Sequence, residues 1–211
     1  MKNFTFTQQS NLSLREKVVV EIRNAILRGN LSAGERIKEN DIAIQMGVSR
    51  GPVREAIQQL ELEGFVVSYP YRETVVAEIN VSEIKDYLTP IRYHLESTVI
   101  QKNLDAINDV FLGQLQEIID VMDSHLADTD VHFWVEQDLL FHETIIRLAP
   151  ERTVQLIWES VSNRIKLHFN QRTGSYDKQQ FVHDHQHLLD IMRTRDIDLI
   201  KQTLLEHMNL Y

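Results

Sequence analysis

The sequence predicts a mostly α-helical protein in two parts: three helices closed by a β-hairpin over residues 1–78, then an all-α bundle of six helices over residues 79–211. Three observations carry this prediction. Glycine and proline are scarce, seven and four in 211 residues, too few for the many turns of a β-sandwich. Apolar residues recur at three- and four-residue spacing along most of the chain, the period of one helix face. A single run, FVVSYPYRETVVAEI over residues 65–79, is dense in β-branched and aromatic residues, and it breaks near Pro70.

Leu14, Val18, Ile22 and Ile26 recur every four residues, and Gly29 closes that first helix. A turn at SAGE leads through RIK to Asn40 or Asp41, which caps a short helix, DIAIQM, stopped by Gly47. Ser49 is placed to cap the next helix, with Pro52 in its first turn, where a missing N–H costs little. Its buried stripe is Val53, Ala56, Ile57 and Leu60, so Arg50, Arg54 and Gln58 share the opposite, exposed face. Three helices followed by a hairpin make a winged helix-turn-helix domain.

Beyond the junction AEINVS, one helix carries Ile84, Leu88, Ile91, Leu95 and Val99 and is kinked by Pro90. Asp105 caps a second with Phe111, Leu115, Ile118, Ile119 and Met122 inward; Asp130 caps a third, which Pro150 ends. A fourth turns Val154, Ile157, Val161 and Ile165 inward, and two more follow the loop QRTGSYDK.

Composition narrows the function. A chain that is 43% hydrophobic and 25% charged reads as globular, and without cysteine it forms neither disulfides nor zinc–thiolate sites. No signal-peptide core and no run of eighteen apolar residues occurs, so a cytoplasmic protein with no membrane partner is expected. The net charge of −9 lies entirely in the second part: residues 1–78 hold ten basic and ten acidic side chains, residues 79–211 twelve and twenty-one. A neutral first part still has room for a local basic face.

The run IRNAILRGNLSAGERIKENDIAIQMGVSRGPVREAIQQLELEGFV resembles the DNA-binding domain of GntR-family transcriptional regulators over about residues 14–78. The later segments IRYHLE, DLLFHETI, DHQHLLDIMRTRD and LLEHM resemble the FCD effector domain of the FadR branch, in its shorter, VanR-like, six-helix form. The resemblance implies a ligand-responsive homodimeric regulator, a repressor, on a palindromic double-stranded DNA operator. In a major groove, Arg50 and Arg54 would face base edges, since arginine bridges the two acceptors of guanine. Ser49 and the N–H groups at the same helix start suit a phosphate, and Gln58 extends the face. Tyr71 and Arg72 mark the wing tip. Glu73 departs there from the family's glycine and sets a carboxylate near phosphates.

A second set is Asp138, His142, His185 and His207. Asp138 and His142 are one turn apart on the inward face with Trp134, Phe141 and Ile145; His185 and His207 are phased inward by neighbouring leucines. Carboxylate and imidazole suit Zn, Ni, Fe or Mn, and the four positions resemble the divalent-metal ligands of many FCD domains. His183 and His187 are phased outward. Arg92, Arg164 and His168 are candidates to complete an effector pocket, where a guanidinium favours a carboxylate ligand. Arg92 could instead pair with Glu96 or with an acidic side chain across helices. No nucleophile elbow, P-loop, dinucleotide fingerprint or H-E-x-x-H is present, so an enzyme is not expected. The alternatives are a metal-dependent hydrolase and a metal-sensing regulator without an organic effector.

Overall fold

A computed structural model of the chain describes residues 13–70, 72–170 and 177–208, and these divide into two units: residues 13–26 with 30–77, and residues 27–29 with 78–208. In the first unit α1 spans Leu14–Leu27, α2 Glu39–Met46 and α3 Arg50–Leu62. Val18, Ile22 and Ile26 of α1 are buried as the periodicity requires, whereas Leu14 is 54% exposed in the opening turn. On α3 the stripe Val53, Ala56, Ile57 and Leu60 is buried, and Arg50, Arg54 and Gln58 are exposed. Gly47 joins α2 to α3 at φ 64°, a left-handed conformation open to glycine without steric cost.

Two local readings are corrected here. The cap position of α2 is Lys38, which makes no side-chain cap bond; Asn40 and Asp41 lie within the first turn, where Glu39 and Asp41 favour the positive end of the helix dipole. The segment RIK is more than a turn exit. Arg36–Ile37 forms β1, which pairs antiparallel with β3 (Thr74–Val76), and β3 pairs in turn with β2 (Val66–Ser68). The wing is therefore a three-stranded sheet of order β1-β3-β2. A two-residue strand whose partner lies some forty positions away leaves no local period to read.

The second unit contains six long helical segments among the described residues. The first is composite: α4 (Val81–Glu83), a π-helical turn over Ile84–Leu88, and α5 (Thr89–Lys102). It is followed by α6 (Asp109–Ser124), α7 (Val131–Ile146), α8 (Arg152–Asn170), α9 (Lys178–Thr194) and α10 (Ile197–Met208). The π turn corrects the predicted stripe. Pro90 sits in the first turn of α5, and the N–H of Thr89 bonds back to the carbonyl of Ile84, five residues earlier. One extra residue per turn advances the phase by about 100°. Ile91 is consequently 44% exposed, and the inward face of α5 passes to Arg92, Glu96, Val99 and Ile100.

Asp105, expected to cap the next helix, lies in a 3-10 turn and pairs with Arg195 at 2.9 Å. Asn108 caps α6 instead, accepting from the N–H groups of Val110 and Phe111 at 3.0 Å each, while Ile107 and Leu112 pack in one cluster at staple positions. Asp130 caps α7 as predicted, accepting from the N–H of His132. On α8 Val161 and Ile165 are buried as expected, but Trp158 takes the inward place expected of Ile157, which is 43% exposed. One apolar cluster packs α6, α7, α9 and α10 around Leu115, Phe141, Leu188 and Leu204; a second packs α5, α7 and α8 around Val99, Leu139, Trp158 and Ile165. Among the described residues no helix is long and apolar enough to cross a membrane.

Candidate metal centre and nucleic-acid interface

Four helices converge on one polar cluster inside the second unit. α7 contributes Asp138 and His142, α9 His185 and α10 His207, all buried, and one ligand atom of each lies within 4.8 Å of the other three. α5 adds Arg92 and Glu96, brought inward by the π turn. Burying charge this deeply is unfavourable unless each group is paired. Glu96, with no exposed surface, accepts from Arg92 Nε at 2.9 Å and from His142 Nδ1 at 2.6 Å. Arg92 Nη2 reaches Asp138 Oδ2 at 3.5 Å, and its guanidinium lies 5.8 Å from the ring centre of Trp158.

These partners fix the imidazole tautomers. His185 Nδ1 is 2.9 Å from the carbonyl of Phe181, which only accepts, so this nitrogen carries the proton and Nε2 bears a lone pair. Glu96 sets His142 the same way. His185 Nε2 lies 3.3 Å from Asp138 Oδ1 without a hydrogen bond, and His142 Nε2 lies 3.7 Å from that oxygen and 3.1 Å from His207 Nε2. Lone pairs on His142, His185 and Asp138 thus face a common point. Atoms bound at ~2.0–2.2 Å to one tetrahedral ion sit ~3.3–3.6 Å apart, so the donor set suits a divalent metal and these three separations come close to its spacing. Glu96–His142 is the carboxylate–histidine pairing that orients metal-binding imidazoles.

The electrostatics agree. Burial alone would raise the pKa of Asp138, yet the Arg92 charge outweighs it and holds the carboxyl far below its ordinary range. Burial, reinforced by Arg92, lowers His142; burial, reinforced by His185 and His142, lowers His207 well below 6.5. These shifts favour an ionised Asp138 and neutral His142 and His207, the protonation states a metal would require of them.

A cavity of about 50 Å³ adjoins the cluster, with Arg92, Asp138, His207 and Thr89 on its polar side. Arg92 therefore both pairs with Glu96 and Asp138 and lines the cavity. Arg164 and His168, predicted beside it, are not among its lining residues. Arg164 bonds Glu83 at 2.6 Å and His168 Nδ1 lies 3.4 Å from the carbonyl of Ile79, while their neighbours Ile165 and Phe169 line the cavity. His183 and His187 are exposed. The part played by Glu96 escaped the sequence reading, which weighed it only as a partner for Arg92; its one signal was an acidic residue one turn beyond Arg92.

On the first unit, Ser49 occupies the cap position of α3 but makes no side-chain cap bond, so its hydroxyl is not committed to the helix. Arg50 and Arg54 are not simply solvated. Arg50 Nη2 bonds Glu39 at 3.0 Å, and Arg54 donates to both oxygens of Glu39 at 3.2 Å. The bond from Arg54, working against partial burial and joined by Arg50, lowers the pKa of Glu39. At the wing, the N–H of Arg72 closes a turn on the carbonyl of Tyr69, Arg72 is exposed, and Tyr71 lies outside the described residues. Glu73 pairs with Arg36 at 3.3 Å, which offsets the carboxylate expected to repel phosphate.

Comparison with known proteins agrees over both units. Residues 14–76 match the bacterial regulatory proteins of the gntR family, and residues 87–210 match the FCD domain. The gluconate operon transcriptional repressor of Bacillus subtilis is 28% identical, covering 92% of this chain and 82% of its own length; that of Bacillus licheniformis is 27% identical, covering 96% and 86%. Among solved structures, E. coli McbR/YncC superposes with a TM-score of 0.77 at 22% identity over 95% of both chains. A GntR transcriptional regulator from Rhodococcus sp. RHA1 gives 0.75 at 24% identity over 94% of this chain and 95% of its own. The relatives are regulators and not enzymes. The chain belongs to the GntR family: it is a DNA-binding transcriptional regulator with an FCD effector-binding domain.

Proposed function

We propose that the protein is a homodimeric repressor of the FadR branch that binds a palindromic operator through α3 and is controlled by a small carboxylate bound beside a divalent ion. The ion is held by Asp138, His142, His185 and His207. The observation that carries this reading is the convergence of His142 Nε2, His185 Nε2 and an Asp138 oxygen, each of these three residues oriented by a second partner, with His207 beside them and a cavity lined by Arg92 adjoining. A bound ion would supply positive charge to a carboxylate oxygen, and Arg92 would supply N–H donors to the same anion. The relatives named for a gluconate operon support a carboxylate effector, and their description as repressors supports repression. The six helical segments support the shorter form of the domain.

The path to DNA runs through α8. Ile165 and Phe169 line the cavity, and Arg164 and His168 on the same helix hold Glu83 and Ile79 at the start of the unit, where the chain arrives from the wing. A ligand that displaces Ile165 and Phe169 would strain those two contacts. The resulting coupling is bounded by the ligand's difference in affinity between the two arrangements.

Elemental analysis and thermal shift test the metal centre. About one divalent ion per chain is expected, with stabilisation of ~2.7 kcal/mol when free metal is a hundredfold above Kd. His185→Ala and His207→Ala should lose the ion, while His183→Ala and His187→Ala keep it. Protein without metal, and without a thermal shift in Zn, Ni, Fe or Mn, would leave the cluster as a buried polar network only. Metal binding that by itself changes operator affinity, with no response to any organic acid, would favour a metal sensor.

A further inference from the structure

We infer that the effector of this site is a short monocarboxylate with an apolar body, of the kind of propionate or butyrate, and not a polyhydroxylated or multiply charged acid. The inference rests on the metal-centred effector reading above and adds the class of acid. Three features of the site lead to it.

The first is charge. Ligating imidazoles are neutral, so the buried ionic groups are Arg92, Glu96 and Asp138, together with the divalent ion. One guanidinium and a divalent cation against two carboxylates leave a single uncompensated positive charge. A monoanion cancels it, whereas a dianion carries an unpaired negative charge into a low-dielectric interior. Arg92 is prepared for the contact: Nε and Nη2 are committed to Glu96 and Asp138, and Nη1 makes no hydrogen bond among the described residues while the side chain faces the cavity.

The second is the lining. Away from Arg92 and the ligand cluster, the wall is built from Ile84, Val135, Ile165, Phe169, Phe181 and Met208, with Thr89 adding a hydroxyl. A sugar acid entering here would exchange several water hydrogen bonds for methyl and ring surfaces, and each unpaired hydroxyl would weaken binding. An alkyl body gains from the same wall.

The third is size. An apolar protein cavity of ~150 Å³ takes one benzene ring, so about 50 Å³ beside the polar cluster favours a short body over a long one.

Both tryptophans of the chain report on the site: Trp134 lines the cavity and Trp158 stacks under Arg92. Intrinsic fluorescence of the full-length protein loaded with Zn²⁺, with metal content measured on the same sample, should be titrated with propionate, butyrate, butyramide, succinate and D-galactonate. Propionate or butyrate should bind at least tenfold more tightly than the other three. Ile165→Val, which removes one lining methyl, should move the preferred acid from butyrate toward valerate, a change of selectivity that loss of stability would not mimic. Galactonate or succinate binding as tightly as butyrate to metal-loaded protein would overturn the inference and leave the metal and effector reading standing. An unchanged chain-length preference in Ile165→Val would do the same, and metal-loaded protein that binds none of these acids would overturn the inference and count toward a metal sensor. Protein that takes up no Zn²⁺ would defeat the underlying reading as well, and the metal assay identifies that case.

Discussion

The two units use the same pairing, arginine against carboxylate, in opposite surroundings. On the exposed face of α3, Arg50 and Arg54 share Glu39 with their side chains 59% and 58% exposed. In the second unit Arg92 is held between Glu96 and Asp138 with its side chain 10% exposed. Water and salt screen the first set, so its bonds are weak and exchangeable, and in the proposed DNA contact the arginines would leave Glu39 at little cost. The second set is screened by neither. Once one partner is removed, the others are left as buried, uncompensated charges. An exposed set thus leaves its arginines available to another partner, and a buried network fixes its own geometry.

Disrupting the buried network should give the largest effect. Glu96→Ala strands Arg92 and releases His142 Nδ1, and a loss of ~3–5 kcal/mol in urea unfolding is expected, together with weaker metal retention. A loss below ~1 kcal/mol would show that the cluster is wetter and less tightly coupled than its burial indicates. On the exposed face, Arg50→Ala or Arg54→Ala should leave unfolding unchanged and weaken operator binding by about 5- to 150-fold with relaxed base preference. Wild-type binding with an unchanged salt slope in both variants would remove α3 from the DNA interface.

The third prediction sets the units apart by pH. His142 and His207 have folded-state pKa values below their ordinary 6.5, so the unfolded chain takes up protons first as pH falls. Their contribution is complete above pH 6.5 and declines below it, by up to ~1.4 kcal/mol per pH unit for each histidine. Asp138, shifted downward, loses its contribution only below its ordinary 3.8 and does not affect this window. Metal-free protein should therefore melt at lower temperature at pH 5.5 than at 7.5, and His207→Gln should flatten the dependence. A flat wild-type profile would place these imidazoles in contact with water. The smallest effect belongs to Glu39→Gln, which frees both arginines and removes a charge near phosphate: operator affinity should rise a few-fold at low salt. Weaker binding would mean instead that Glu39 holds the arginines in their reading geometry.

Much of this was legible in the residues themselves. Helical period and the glycine at position 47 located α1 to α3 and turned Arg50, Arg54 and Gln58 outward, because i, i+4 phasing is a local property of the chain. The same rule put Asp138 and His142 on one inward face, and leucine neighbours did so for His185 and His207. Their meeting could only be expected, since three separate helices have to pack before the ligand atoms approach. Where phase depended on a backbone irregularity, the sequence misled: the π turn before Thr89 advanced α5 by one residue, exposing Ile91 and delivering Arg92 and Glu96 to the interior. Non-local events left no period to follow, among them the pairing of β1 with β3, the capture of Arg50 and Arg54 by Glu39, and the use of Arg164 and His168 to grip Glu83 and Ile79. The sequence by itself determined which side chains share a helix face, for that follows from a fixed rotation per residue. Only the tertiary structure decided which faces meet and which charges are paired, because those depend on contacts between residues far apart in the chain.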